Sequence, residues 1–107
     1  MKLSERECIP CRGGVPALPG EECLALLAEL EGWKIVDGLL TKSYKFRDFR
    51  GALELANLIG DLADKVDHHP DLHVYWGVLK VDIFTHAIKG LTESDFVLAA
   101  KIDLLKD

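Results

Sequence analysis

The sequence predicts an α+β domain of element order αββαββα, in which a four-stranded antiparallel sheet carries its helices on one face. Two observations lead there. Asp37-Gly38 and Trp76-Gly77 are tight-turn dipeptides, each flanked by strand-like runs, and strands joined so closely must be antiparallel. Three other segments repeat apolar residues at helical spacing, and helices with one apolar face need a layer to cover it.

From Gly20, the apolar positions Cys23, Leu24, Leu26, Leu27 and Leu30 fall at helical spacing, with Glu21 and Glu22 at the end where the helix dipole favours negative charge. Gly32 ends that helix. Residues 33–36 and 39–46 then form the first hairpin, with Leu40, Tyr44 and Phe46 alternating onto one face. Asp48 is a good N-cap for a long helix whose stripe runs through Leu53, Ala56, Ile59, Ala63 and Val66, with Leu55, Leu58 and Leu62 alongside. So wide a stripe should pack on the sheet. Residues 72–76 and 78–85 make the second hairpin, and residues 92–106 the last helix, with Phe96, Leu98, Ala99, Ile102 and Leu105 inward. Residues 1–19, containing Pro10, Gly13, Gly14, Pro16 and Pro19, read as an extended arm with little core contact, which leaves 20–107 as the domain.

Composition fits one such domain: 107 residues, 49% apolar, net charge −5. Its 13 Lys and Arg residues are scattered, which argues against direct nucleic-acid binding. The N-terminus lacks the apolar stretch of a signal peptide, and no run approaches the ~20 apolar residues that span a bilayer. A cytoplasmic protein with no membrane partner is expected. Cys8 and Cys11 form a Cys-x-x-Cys, but a structural zinc site usually has four ligands, and the remaining thiol, Cys23, falls within the first helical run. A pair of exposed thiols is the plainer reading.

All four histidines lie between Asp64 and Asp95. Imidazole titrates near neutral pH, so His68, His69 and His86 in one segment point to proton transfer or to a metal such as zinc with an open position for water. On a helix Asp64 and His68 stand at i and i+4, so the carboxylate would fix the tautomer of His68. Pro70 disfavours the α conformation at His69 and should end the helix there, turning His69 outward. His86 closes an alternating run, Leu79, Val81 and Ile83 against Lys80, Asp82 and Phe84, that should deliver it to the end of a sheet. His73 shares the parity of Tyr75 and reads as a sheet-face residue. Thr92-x-x-Asp95 is a capping-box pattern. Trp76 either packs at a hairpin or walls a flat heterocycle.

Taken together these residues resemble the pterin-4a-carbinolamine dehydratase family, known in animals also as a dimerisation cofactor of a homeodomain transcription factor. The pattern is Asp64, three residues, His68-His69-Pro70, five residues, Trp76, nine residues, His86, eight residues, Asp95, with Asp64 where many relatives have Glu. The resemblance covers roughly residues 20 to 105 and implies the same α+β fold. It further implies loss of water from a 4a-hydroxytetrahydropterin without metal or organic cofactor. His68 and His86 would carry protons, His69 and Trp76 would contact substrate, Asp64 would orient His68, and Asp95 would support His86. The pterin is then the small-molecule partner, and a homodimer or homotetramer is implied. The alternative it leaves is a protein-binding module acting as a dimerisation or transcriptional cofactor.

Overall fold

A computed structural model describes residues 2–6 and 17–106. A 3-10 turn at Leu3–Glu5 precedes α1 (Gly20–Leu27), β1 (Lys34–Val36), β2 (Leu39–Lys45), α2 (Phe49–Val66), β3 (Asp71–Tyr75), β4 (Val78–Ile83), a second 3-10 turn at His86–Ile88, and α3 (Glu93–Lys106). The expected αββαββα order and antiparallel sheet are both present, with strand order β1-β2-β4-β3. The Cys8 and Cys11 pair lies outside the described residues.

Both hairpins close where the sequence places them. Asp37 (φ 51°) and Gly38 (φ 78°) both take positive φ, the type I′ geometry that matches strand twist. In the second hairpin only Gly77 does so, and a side chain there would press to 3.1 Å from the Phe46 carbonyl oxygen. Register follows from period two: Leu40 stands opposite Ile83, Tyr44 opposite Leu79, and Leu72 opposite Val81, so these side chains share the helix-covered face. Lys42 lies on this inner face too. Its ammonium is satisfied by Asp103 and the Glu31 carbonyl, both at 2.9 Å, and sits 4.7 Å from the Tyr44 ring centroid.

The Asp48 carboxylate accepts the Gly51 N–H at 2.9 Å and caps α2, which buries Ala52, Leu55, Ala56, Ile59 and Ala63. The apolar stripe is narrower than the sequence implies, because Leu58 and Phe49 remain nearly half exposed. In α3, by contrast, Phe96, Val97, Leu98 and Ala99 are all buried, so both sides of its first turns are covered.

The second cover comes from the arm. Leu3 is buried in the core, the Lys101 ammonium bonds the Ser4 carbonyl at 2.9 Å, and Arg6 pairs with Glu93 at 2.6 Å. The expectation of little core contact is therefore wrong for residues 2–6, since one apolar residue has no periodicity to announce it. Further along, the Leu18 N–H bonds the Leu91 carbonyl at 2.9 Å, and a Cβ on Gly90 would meet that of Ala17 at 2.5 Å. Among the described residues, no helix is long and apolar enough to cross a membrane.

Cys23 is buried, and burial pushes its thiol up, with the Asp95 and Glu22 charges adding in the same direction. A raised thiol is mostly protonated at pH 8 and is a poor nucleophile. Cys23 should therefore resist iodoacetamide at pH 8 until the chain unfolds, as peptide mapping by mass spectrometry would show. Rapid alkylation of native Cys23 would contradict its place in the core. Leu3→Ala should lower the unfolding free energy by about 2 kcal/mol, read as a lower urea midpoint at unchanged slope, because it removes a buried leucine.

Candidate active site

The site begins with a chain reversal. After Val66, Asp67 takes the left-handed conformation (φ 55°, ψ 43°) and its N–H closes on the Ala63 carbonyl. The His68 N–H bonds the same carbonyl at 3.2 Å. Because the helical path ends at Asp67, His68 leaves the helix surface and the expected Asp64–His68 pair does not form. His69 comes round instead, its Nε2 lying 2.9 Å from the Asp64 carboxylate, while His68 Nε2 lies 2.6 Å from Asp95 Oδ1.

Asp95 is fully buried, and both its oxygens are used. Oδ2 accepts the Thr92 N–H at 2.8 Å and the Thr85 hydroxyl at 2.7 Å. Thr92 stands at the N-cap of α3 and Asp95 at its third residue, so the first of these bonds is the return half of a capping box at a dipole end that favours anions. The capping role read from the sequence holds, and it coexists with a contact to imidazole. An ionised carboxylate can only accept, so Nε2 of His68 donates to it, and in the neutral imidazole Nδ1 is then the acceptor. The same reasoning applies to His69 against Asp64, although that pair is exposed and is held far less firmly.

His86 opens the short turn beyond β4, with its ring edge-on to Phe84 at a centroid distance of 5.1 Å. It is exposed and does not bond Asp95, contrary to expectation. Asp95 instead holds its neighbour Thr85, whose backbone is bridged to Gly90, so the peptide that presents His86 is fixed. The end of α2, the end of β4 and the start of α3 thus meet at one carboxylate, bringing His68 and the His86 turn to one end of the molecule.

Trp76 does not join them. It sits 73% exposed at the tip of the β3–β4 hairpin, whereas His68-His69-Pro70 enters β3 at its opposite end, a separation of roughly 20 Å along the strand. Within this chain Trp76 therefore lies away from the imidazoles. His73, as expected, lies on the outer face of the sheet, where its Nε2 is 2.9 Å from Asp82 and the Thr41 hydroxyl donates to the same carboxylate at 2.6 Å. Among the described residues, no three His, Cys, Asp or Glu side chains gather as a metal ion would require. A cavity of about 520 Å³ is lined by Leu3, Lys42, Tyr44 and Asp103 and by no histidine. Its polar groups bond one another, with the Tyr44 hydroxyl 2.5 Å from Asp103.

Residues 16–105 match the sequence profile described as pterin 4 alpha carbinolamine dehydratase. The chain belongs to this family. A Rubrobacter xylanophilus relative, provisionally named pterin-4-alpha-carbinolamine dehydratase, is 52% identical over 97% of this chain and 98% of its own length. A Rickettsia bellii relative of the same provisional name is 55% identical over 98% and 95%. The crystal structure of a transcriptional coactivator/pterin dehydratase from Brucella melitensis superimposes with a TM-score of 0.80 at 32% identity, covering 85% of this chain and 99% of that one.

One polar residue at this dehydratase-family site escaped the sequence reading. Thr85 continues the parity of Leu79, Val81 and Ile83, all fully buried, and is itself buried. A hydroxyl at an apolar strand position needs an acceptor, and that was the available signal. Because Asp95 accepts from both the Thr85 hydroxyl and the Thr92 N–H, Asp95→Ala should destabilise the fold by about 3 kcal/mol. Asp64→Ala, at the surface, should cost less than about 0.5 kcal/mol. Urea unfolding of both variants would decide, and equal losses would count against the assignment.

Proposed function

We propose that this protein dehydrates a 4a-hydroxytetrahydropterin to the quinonoid dihydropterin. The observation that carries the reading is His68 held through Nε2 by a buried carboxylate, which leaves Nδ1 available beside the turn that bears His86. In the reaction the C4a–O bond breaks, the N5 lone pair forms the C4a=N5 double bond, the hydroxyl leaves with one added proton as water, and N5 gives up one proton. No electrons change hands. One group must donate a proton and another must accept one, and imidazole side chains perform both tasks in enzymes.

His68 and His86 are assigned as the two proton carriers and His69 as the group that positions substrate. Asp95 orients His68, and Asp64 orients His69. The product would return to the tetrahydropterin pool that serves aromatic amino-acid hydroxylation. Association into a homodimer or homotetramer belongs to the same reading and is favoured by the open edge of β3 and by the exposed Leu58 on α2.

His86→Ala should lower kcat by about 10²-fold, the loss usual for a general acid or base, with an unchanged circular dichroism spectrum. His69→Ala should chiefly raise KM, and chelators should change neither constant. The measurement is steady-state carbinolamine dehydration with the uncatalysed rate subtracted. A folded His86→Ala protein with near wild-type kcat would overturn its role, and activity that vanished with a removed metal would overturn the mechanism.

A further inference from the structure

Building on the dehydratase reading, we propose that Thr85 is a positioning residue for the reaction, acting through Asp95 on His68. The Thr85 side chain is buried in line with Leu79, Val81 and Ile83, and its hydroxyl donates to Asp95 Oδ2 at 2.7 Å. Burying that hydroxyl costs free energy unless it is bonded, so a threonine in an apolar row calls for a reason. Packing does not supply one, since valine has the same shape.

The reason lies in how a carboxylate is aimed. Rotation of the Asp95 carboxylate about its last torsion is soft, and its plane is set by what its oxygens accept. Oδ2 is held from two sides, by the Thr92 N–H at 2.8 Å and by the Thr85 hydroxyl, and the plane so fixed directs Oδ1 to His68 Nε2 at 2.6 Å. The Thr92 hydroxyl makes only a long contact to Oδ2, at 3.5 Å, and lies 3.3 Å from the Thr85 hydroxyl, so it is the weaker hold on the carboxylate. With the Thr85 hydroxyl gone, Oδ2 keeps one strong donor, the plane is free to turn, and the proton on His68 is no longer confined to Nε2. Thr85 also precedes His86, and its N–H bonds the Gly90 carbonyl at 3.1 Å, so the same residue anchors the turn that displays the second imidazole.

The test compares wild type with Thr85→Val, which deletes the hydroxyl and keeps the branching, and Thr85→Ser, which keeps the hydroxyl and deletes the methyl. Nitrogen-15 NMR of the imidazoles should show neutral His68 as the single Nε2–H tautomer in wild type and in Thr85→Ser. In Thr85→Val it should show a mixture. In parallel, kcat should fall about 10-fold in Thr85→Val with KM within about twofold of wild type, and Thr85→Ser should recover most of the loss. Thr85→Ala provides a second hydroxyl-free variant, judged on the same two readouts, if Thr85→Val folds poorly. A hydroxyl-free variant that keeps both the single tautomer and the wild-type kcat would overturn the proposal. The tautomer is read without substrate. A wild-type protein that dehydrates no carbinolamine would therefore overturn the proposed activity, while a tautomer that depends on the hydroxyl would still support the link.

Discussion

A carboxylate with no solvent exposure is the constraint to which this structure answers. A charge taken out of water costs several kcal/mol unless donors replace its hydration, and Asp95 finds three of them on three different segments. One is a backbone N–H at a helix start, one a hydroxyl just beyond a strand, and one an imidazole just past a helix end. Moving any of the three segments would strand the charge, so the relative placement of α2, β4 and α3 at this end of the molecule is over-determined. The same bonds that make the charge tolerable also hold the His68 imidazole, so the packing of this end and the placement of that ring draw on one set of contacts.

The elements were legible because their signals are local. Asp37-Gly38 and Trp76-Gly77 are turn chemistry, the strands have period two, and Asp48 with the apolar stripe after it announces α2. What the sequence hid depends on a single backbone torsion. Asp67 adopts a left-handed conformation usually reserved for glycine or asparagine, so nothing in the composition signalled that the helix would end before His68. That reversal exchanges the carboxylate partners: Asp64 passes from His68 to His69, and Asp95 goes to His68 in place of His86. The sequence names these carboxylates and imidazoles, and only the fold sets which contacts which.

Two further misses have separate causes. Leu3 carries no periodicity to announce its burial against α3, whereas Thr85 continues the buried parity of β4 and only the fold supplies the acceptor its hydroxyl needs. Trp76 lies apart from the imidazoles for a simple geometric reason. A fixed spacing from the histidines says how far along the chain a residue lies, and a strand converts that spacing into distance instead of proximity.

The β3–β4 hairpin is hung at both ends from Asp95, with His68 just ahead of it and Thr85 just behind. Bringing those two residues together is a loop closure, and the hairpin's own ladder performs it, since each rung formed from the Trp76-Gly77 tip shortens the remaining loop. The clasp at Asp95 therefore lies at the end of the ladder farthest from the turn. Any fluctuation that opens the base of the hairpin parts His68 from Thr85 in the same motion. Local unfolding and loss of the Asp95 contacts become one event, and the lifetime of that cluster depends on the cooperativity of a sheet whose own His73 lies apart from it.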